Sequence, residues 1–239
     1  MNNLLIEISH CPIAKAIIEN PSLENPCKEI VLSQNIGAIN DFQVPEPWSG
    51  QISTAPILFL SSNPSISSAE QYPLWSWSDS LTTDYFSYRF GNGQKIWVRN
   101  GKYSLQKDNT YSESVNFWAF VRQRAMELFN RDVEPGIDYA LSEVVHCKSK
   151  SEYGAKSAAK QCPQKYLDKI LKVSNAVIVV VLGDIAKDAI NATYNLSGDN
   201  QSVLKPIKLG QRERYVVFLP HPNARKNRTF KSIFPQPVF

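Results

Sequence analysis

The sequence has no apolar run long enough to span a bilayer. Its longest, Ala176 to Leu182, falls far short of the ~20 residues a membrane helix needs. The N-terminus, MNNLLIEISHCPIAK, places no basic region ahead of an apolar one and carries no cleavage signature, which argues against a secretory leader. Four cysteines in 239 residues are too few for a disulfide scaffold, and a chain this long buries a sufficient core without one. Glycine-rich phosphate loops are missing: Leu182-Gly183-Asp184 is neither a Walker loop nor a dinucleotide fingerprint. No nucleotide cofactor is therefore expected. Repeats and low-complexity tracts are also absent. These absences leave a soluble, cytoplasmic, monomeric protein with no membrane partner as the expectation.

Hydrophobic residues make up 43% of the chain, and 26 Lys and Arg against 22 Asp and Glu give a net charge of +4. That composition excludes disorder and suits one globular domain over 1–239. Residues 1–55, rich in Pro and Asn, read as irregular. Pro56 to Leu60 is a short apolar run ending in Ser61-Ser-Asn-Pro-Ser65, a buried strand that feeds a loop. Residues 72–112 hold Trp75, Trp77 and Trp97 and read as a long aromatic insertion, with a hairpin expected at Gly91 to Gly93.

Helical spacing runs over 113–129 and 157–172, with a short helix over 184–192. Strands are expected at 139–146, 176–182 and 215–219. This alternation predicts an α/β fold: a central, mostly parallel sheet with helices on both faces. Ligands bind beyond the carboxyl ends of such strands. Three of those ends are polar and unusual: Ser61–Ser65, Glu143–Cys147 and His221–Arg225.

The segments FLSSNPS, ALSEVVHC, QCPQKYLDKI with AVIVVVLGDIAKDAI, and VVFLPHPNARKN together resemble the uracil-DNA glycosylase superfamily. They lie nearest its iron-sulfur branch, whose pattern is roughly TNVVKC…C-x-x-YL…VIVALG-x-x-A. The likeness covers 56–66 and 139–225. It implies a DNA partner, a uracil-DNA glycosylase-like fold and base excision. Two positions depart from the pattern: Ser61 stands where Gly is usual, and Glu143 where the uracil-specific branches carry Asn.

Glycosylases extrude the base before cutting its sugar bond. By resemblance, Asn63 holds the attacking water and His221 donates to the pyrimidine 2-oxygen as charge builds there. From residues alone, Asn63-Pro64 is equally a plain turn. Glu143 is the informative departure. An ionised carboxylate can only accept, so it opposes the 4-oxygen of uracil but accepts from the 4-amine of cytosine. If protonated, it can donate to the cytosine ring nitrogen. Because an enzyme that cut plain cytosine would destroy its own genome, the expectation is a modified cytosine, such as the hydroxymethylated or glucosylated base of phage DNA, and an antiviral role. A slipped register, or an ion pair between Glu143 and a nearby Lys, would remove that argument. Uracil repair and non-catalytic DNA binding remain the alternatives.

Trp75, Trp77, Tyr85 and Phe86 are the candidates to stack on the flipped base. Ser65, Asn223, Arg225, Lys226 and Arg228 are the candidates to contact DNA. Basic runs over 205–231 and 148–172 flank the expected site as a phosphate track, although such runs are commonly solvated faces. Cys11, Cys27, Cys147 and Cys162 are candidate ligands. The resemblance gives them to a [4Fe–4S] cluster, although Ile8 stands where that branch has its first cysteine. Zinc or four unligated thiols are the other readings.

Overall fold

The computed structural model describes residues 2–91, 95–196, 206–224 and 229–230. A five-stranded sheet in the order β4-β1-β5-β7-β6 forms its centre. The strands are β1 (Ile57–Ser61), β4 (Tyr139–Glu143), β5 (Ile178–Leu182), β6 (Ile207–Leu209) and β7 (Arg212–Leu219). β1 pairs parallel with β4 and β5, and β5 pairs parallel with β7; only β6 runs antiparallel, on β7. This is the mostly parallel α/β sheet that the alternating pattern predicts. β2 (Val98–Arg99) and β3 (Tyr103–Ser104) form a small separate hairpin.

Both faces of the sheet are buried, so its strands are continuous apolar runs. Leu58, Leu60, Val179, Val181 and Val216 face one core, shared with α7 (Cys162–Val173) and α8 (Asp184–Tyr194). Ile57, Phe59, Val180, Leu182 and Val217 face the other, closed by Val121 and Ala125 of α5 (Asn116–Phe129). The period of two along each strand is what divides these residues.

The N-terminal region departs from the expectation of irregular chain. It forms α1 (Asn2–Ser9), α2 (Pro12–Glu19) and α3 (Lys28–Leu32). Leu5, Ile8, Ala14, Ile17 and Ile30 are buried from these helices. The Pro and Asn residues that suggest irregularity lie at the starts of these short helices and between them, and Pro12 sits in the first turn of α2, where no donor is lost. The insertion contains a helix, α4 (Asp79–Tyr88). The helix expected over 157–172 is split into α6 (Ala155–Ala158) and α7. Pro163 sits in the first turn of α7, where no donor is lost, so a new helix starts there instead of continuing α6. Part of the expected hairpin at Gly91 to Gly93 lies outside the described residues.

Arg214, fully buried near the start of β7, carries no carboxylate partner among the described residues. It donates instead to four carbonyls, those of Ala176, Leu209, Leu171 and Ser174, at 2.6–2.8 Å. It thereby binds β7, β6 and the turn between α7 and β5 into one unit. This residue belongs to the framework, not to the expected phosphate track. Arg214→Met leaves those carbonyls without their donor, and urea denaturation should show a loss of about 3 kcal/mol or more. A loss under about 1 kcal/mol would mean that water replaces the guanidinium freely.

Candidate active site

β1 has β4 on one side and β5 on the other, which makes its carboxyl end the switch point of the sheet. A cleft of about 610 Å³ opens there, within the usual size of small-molecule sites. Asn63, Glu143 and His221, from three different strand ends, all line it.

Asn63 is held by the stitched backbones of two loops. Val144 and Val145 N–H donate to the carbonyls of Ser61 and Ser62, and Ser149 N–H donates to that of Pro64. The Asn63 amide nitrogen donates to Ser149 Oγ at 3.0 Å, to the Pro64 carbonyl at 3.1 Å and towards the Cys147 carbonyl at 3.4 Å. This fixes the amide orientation. Among the described residues, Asn63 Oδ1 is buried and accepts no bond. A buried acceptor without a donor is uncommon in a folded protein and marks this oxygen out.

His221 follows β7. Its Nδ1 accepts from the Asn223 backbone N–H at 3.2 Å. In the neutral ring this puts the proton on Nε2, which becomes a donor. Gly183, with φ +82°, lies so close that an added Cβ would stand 3.2 Å from His221 Cβ. Phe117 lies nearly parallel to the imidazole, 6.4 Å away.

Glu143, the last residue of β4, pairs in register with Ser61 and is only 4% exposed. It makes no ion pair among the described residues, and its Oε2 is buried without a partner. Burial, and then the Glu46 carboxylate, push its pKa well above the usual carboxylate range, against the smaller pull of Arg89 and Lys148. Both effects favour the protonated carboxyl, the form that can donate as well as accept. The nearby lysine, Lys148, is committed elsewhere, to Glu70.

Beyond Glu143 lies a feature that sequence reasoning missed. Arg89 donates to Glu46 and to Glu70, each at 2.7 Å, and Lys148 donates to Glu70 at 3.3 Å. All four are buried. Ser49 Oγ and Tyr72 O–H also serve Glu46, and Tyr85 O–H serves Glu70. Burial alone would raise the pKa of Glu70, but Lys148 and Arg89 outweigh it and hold the carboxyl below its usual value. Two cations thus face two carboxylates, and the set is electrically balanced without Glu143. The one signal in the sequence is the charged residues within an aromatic, Pro-rich stretch.

The aromatic candidates fall elsewhere. Phe86 and Tyr85 are fully buried. Trp75 packs on His10 and Phe42, and Trp77 on Tyr85 and Trp97, outside the cleft lining. These rings hold the insertion together and cannot receive a base. Phe117 and Trp118, read from periodicity as helix core, line the cleft instead. Ser65 and Asn223 stand at its rim, both exposed. Arg225, Lys226 and Arg228 lie outside the described residues. Lys148, counted in the basic run, is 1% exposed and cannot reach phosphate.

The four cysteines converge from the residues just before α2 and α3, the loop after β4 and the start of α7 onto one apolar cavity of about 20 Å³. Burial raises the thiols: Cys27 to about 11, and Cys147 and Cys162 further. Their proximity to one another adds to each rise. A cationic centre would reverse that repulsion. His146 edges the same cavity with its pKa pushed down to about 4 by burial. Among the described residues, no group of three or more His, Cys, Asp or Glu gathers as around a single ion. Four soft donors around one enclosed apolar space fit a multinuclear iron-sulfur centre in kind.

A mostly parallel sheet thus brings an amide, an imidazole and a carboxyl from three strand ends to one cleft. The model of the Uracil DNA glycosylase superfamily matches residues 47–237, and the chain belongs to that superfamily. Its members act on DNA and are typically DNA glycosylases. A comparison with curated proteins finds no match. No helix among the described residues is long and apolar enough to cross a membrane.

A raised carboxyl pKa has a sign in stability. A group that holds its proton more tightly when folded stabilises fully only below its unfolded pKa, near 4.5. That contribution declines as pH rises towards the folded value. Glu143→Gln removes the titration. Urea denaturation at pH 5 and pH 8 should therefore show the variant gaining on the wild type as pH rises, by on the order of 1 kcal/mol per pH unit. A gap that does not change with pH would mean that Glu143 is ionised at neutral pH.

Proposed function

We propose that the protein is a monofunctional DNA glycosylase that hydrolyses the base–sugar bond of a modified cytosine and leaves an abasic site. The buried, unpaired Glu143 carboxyl, whose surroundings favour its protonated form, carries this reading. Cytosine is a poor leaving group unless its N3 is protonated, and a buried carboxyl beside the ring is the acid for that step. In the flipped base, the Glu143 O–H faces N3, its other oxygen accepts from the 4-amine, and His221 Nε2–H donates to the 2-oxygen. Phe117, beside His221, supplies a stacking surface. Asn63 Oδ1 orients the water. As the C1′–N1 bond breaks, the Glu143 proton goes to N3. The water then bonds to the cationic C1′ and releases a proton to solvent, from which Glu143 is recharged.

A neutral carboxyl can also turn its O–H to the 4-oxygen of uracil, so edge pairing does not by itself separate the two rings. Proton supply does, because uracil departs as a stable anion and needs no acid. The ability of Glu143 to pair either edge is the observation that favours uracil repair as the second reading. An enzyme cutting plain cytosine would destroy its own genome, so the substrate carries a mark of foreign DNA, such as the glucosylated hydroxymethylcytosine of phages, and the role is antiviral.

Oligonucleotides carrying cytosine, uracil, hydroxymethylcytosine or its glucosylated form separate these readings when assayed for alkali-labile sites and free base. Release of a modified cytosine with uracil untouched is expected. Asn63→Ala and Glu143→Gln should each lower the rate by about 10²-fold or more, and Glu143→Asn should gain uracil release. Uracil release by the wild type, with every cytosine intact, would overturn the cytosine reading.

The same reading gives Cys11, Cys27, Cys147 and Cys162 to a [4Fe–4S] cluster whose part is structural, since base hydrolysis moves no electrons. Anaerobically purified protein should contain about four iron and four sulfide per chain, and Cys147→Ser should lose both together with thermal stability. Stoichiometric zinc, or neither metal, would assign the thiols differently.

A further inference from the structure

We propose that the end of the cleft beyond Glu143 is a subsite for an uncharged, hydroxyl-rich group carried on C5 of the pyrimidine, with Trp118 and Gln106 as its readers. The inference rests on the base orientation given above and adds the residues that recognise the modification.

Direction comes from the sheet. His221, after β7, marks the 2-oxygen, and Glu143, at the end of β4, marks N3 and the 4-amine. Around a pyrimidine, C5 follows C4 and lies away from the 2-oxygen. A C5 substituent therefore passes Glu143 and leaves across the β4 edge. The chain on that edge is the 46–49 segment: Ser49 exchanges backbone bonds with Leu141, and Glu46 N–H donates to the His146 carbonyl. Glu46 and its partner Arg89 thus form the floor on which a C5 group would land.

Chemistry gives the class of group. The floor is polar, buried and charge-balanced. A methyl group there would cover Arg89 and Glu70 without bonding to them, and a charged group would break the balance. Hydroxyls can donate to carboxylates and accept from Arg89, whose Nε is buried without a partner among the described residues. The wall is of the same kind. Gln106 is half-buried, its amide nitrogen fixed by the Ser104 carbonyl at 3.0 Å and by Ser104 Oγ at 2.6 Å. That leaves its amide oxygen to accept from a ligand hydroxyl.

Consecutive residues of α5 serve the two ends of the cleft. Phe117 lies by His221, and Trp118 lies by Arg89, whose guanidinium sits 4.9 Å from the indole centroid. An indole beside fixed polar groups suits a sugar, which offers C–H faces to the ring and hydroxyls to the floor.

Single-turnover excision from four duplexes tests this: 5-hydroxymethylcytosine and 5-hydroxymethyluracil, each with and without glucose. The readout is the ratio of glucosylated to unglucosylated rate on the same ring. For the wild type on cytosine we expect about tenfold or more in favour of glucose. Trp118→Ala and Gln106→Ala should each bring the ratio towards one, with thermal melts confirming folded protein. Equal or slower excision of the glucosylated base, no excision of either, or variants that keep the full ratio would overturn the subsite. A glucose effect without preference for the cytosine ring would uphold it and overturn the role given to Glu143. Cytosine preference without a glucose effect would do the reverse.

Discussion

Everything at the reactive end of this protein depends on one cation held between two carboxylates. Arg89, buried to 1% exposure, joins Glu46 to Glu70. Those residues come from four stretches of chain once Lys148 is included: the edge segment beside β4, the loop after β1, the end of α4 and the loop after β4. No apolar contact would fix four loops with the same directionality. Breaking such a set by removing one member costs about 3–5 kcal/mol, because the remaining charges are stranded without water. Glu143 lies in the same dry volume with no cation of its own, and burial and the Glu46 carboxylate push its pKa well above the usual carboxylate range.

The other polar groups of the cleft are set by uncharged hydrogen bonds, most of them to the main chain. The Asn63 amide is clamped through its nitrogen, which decides where its oxygen points. The tautomer of His221 follows from one main-chain donor, the Asn223 N–H. Both side chains are thus held in one orientation by the protein itself. The division is physically sensible. Main-chain bonds give position without adding net charge, while the ionic floor sets a protonation state that no main-chain bond can impose.

Legibility in the sequence followed the length and regularity of the signal. β1 and β5 are apolar runs bounded by turn chemistry, and the alternation of strands and helices implied a parallel sheet with its ligands beyond the carboxyl ends of the strands. Asn63, Glu143 and His221 stood out as polar positions at strand ends, and the resemblance supplied the roles expected of them. The N-terminal helices were not, being five to eight residues long, below the window in which a 3.6-residue period stands out. The ionic floor was invisible for a different reason: single charged residues far apart in the chain default to the surface, and only the fold brings them together. Aromatics misled in both directions. Trp75 and Trp77 sit in a segment that reads as binding loop but packs as core, whereas Phe117 and Trp118 sit on a helix that reads as core but fronts the cleft.

The anchoring of Arg214 gives β7 a property beyond stability. One end of the strand is bolted by four carbonyls, and the reactive imidazole lies seven residues on, about 23 Å away in extended chain. The strand acts as a ruler with a fixed zero. Its side chains alternate, so a slip of one residue would bring Pro220 or Pro222 to the place of His221. Neither proline has a side-chain donor or a backbone N–H to offer. A misregistered strand would therefore bring no imidazole, and no donor in its place, to the cleft.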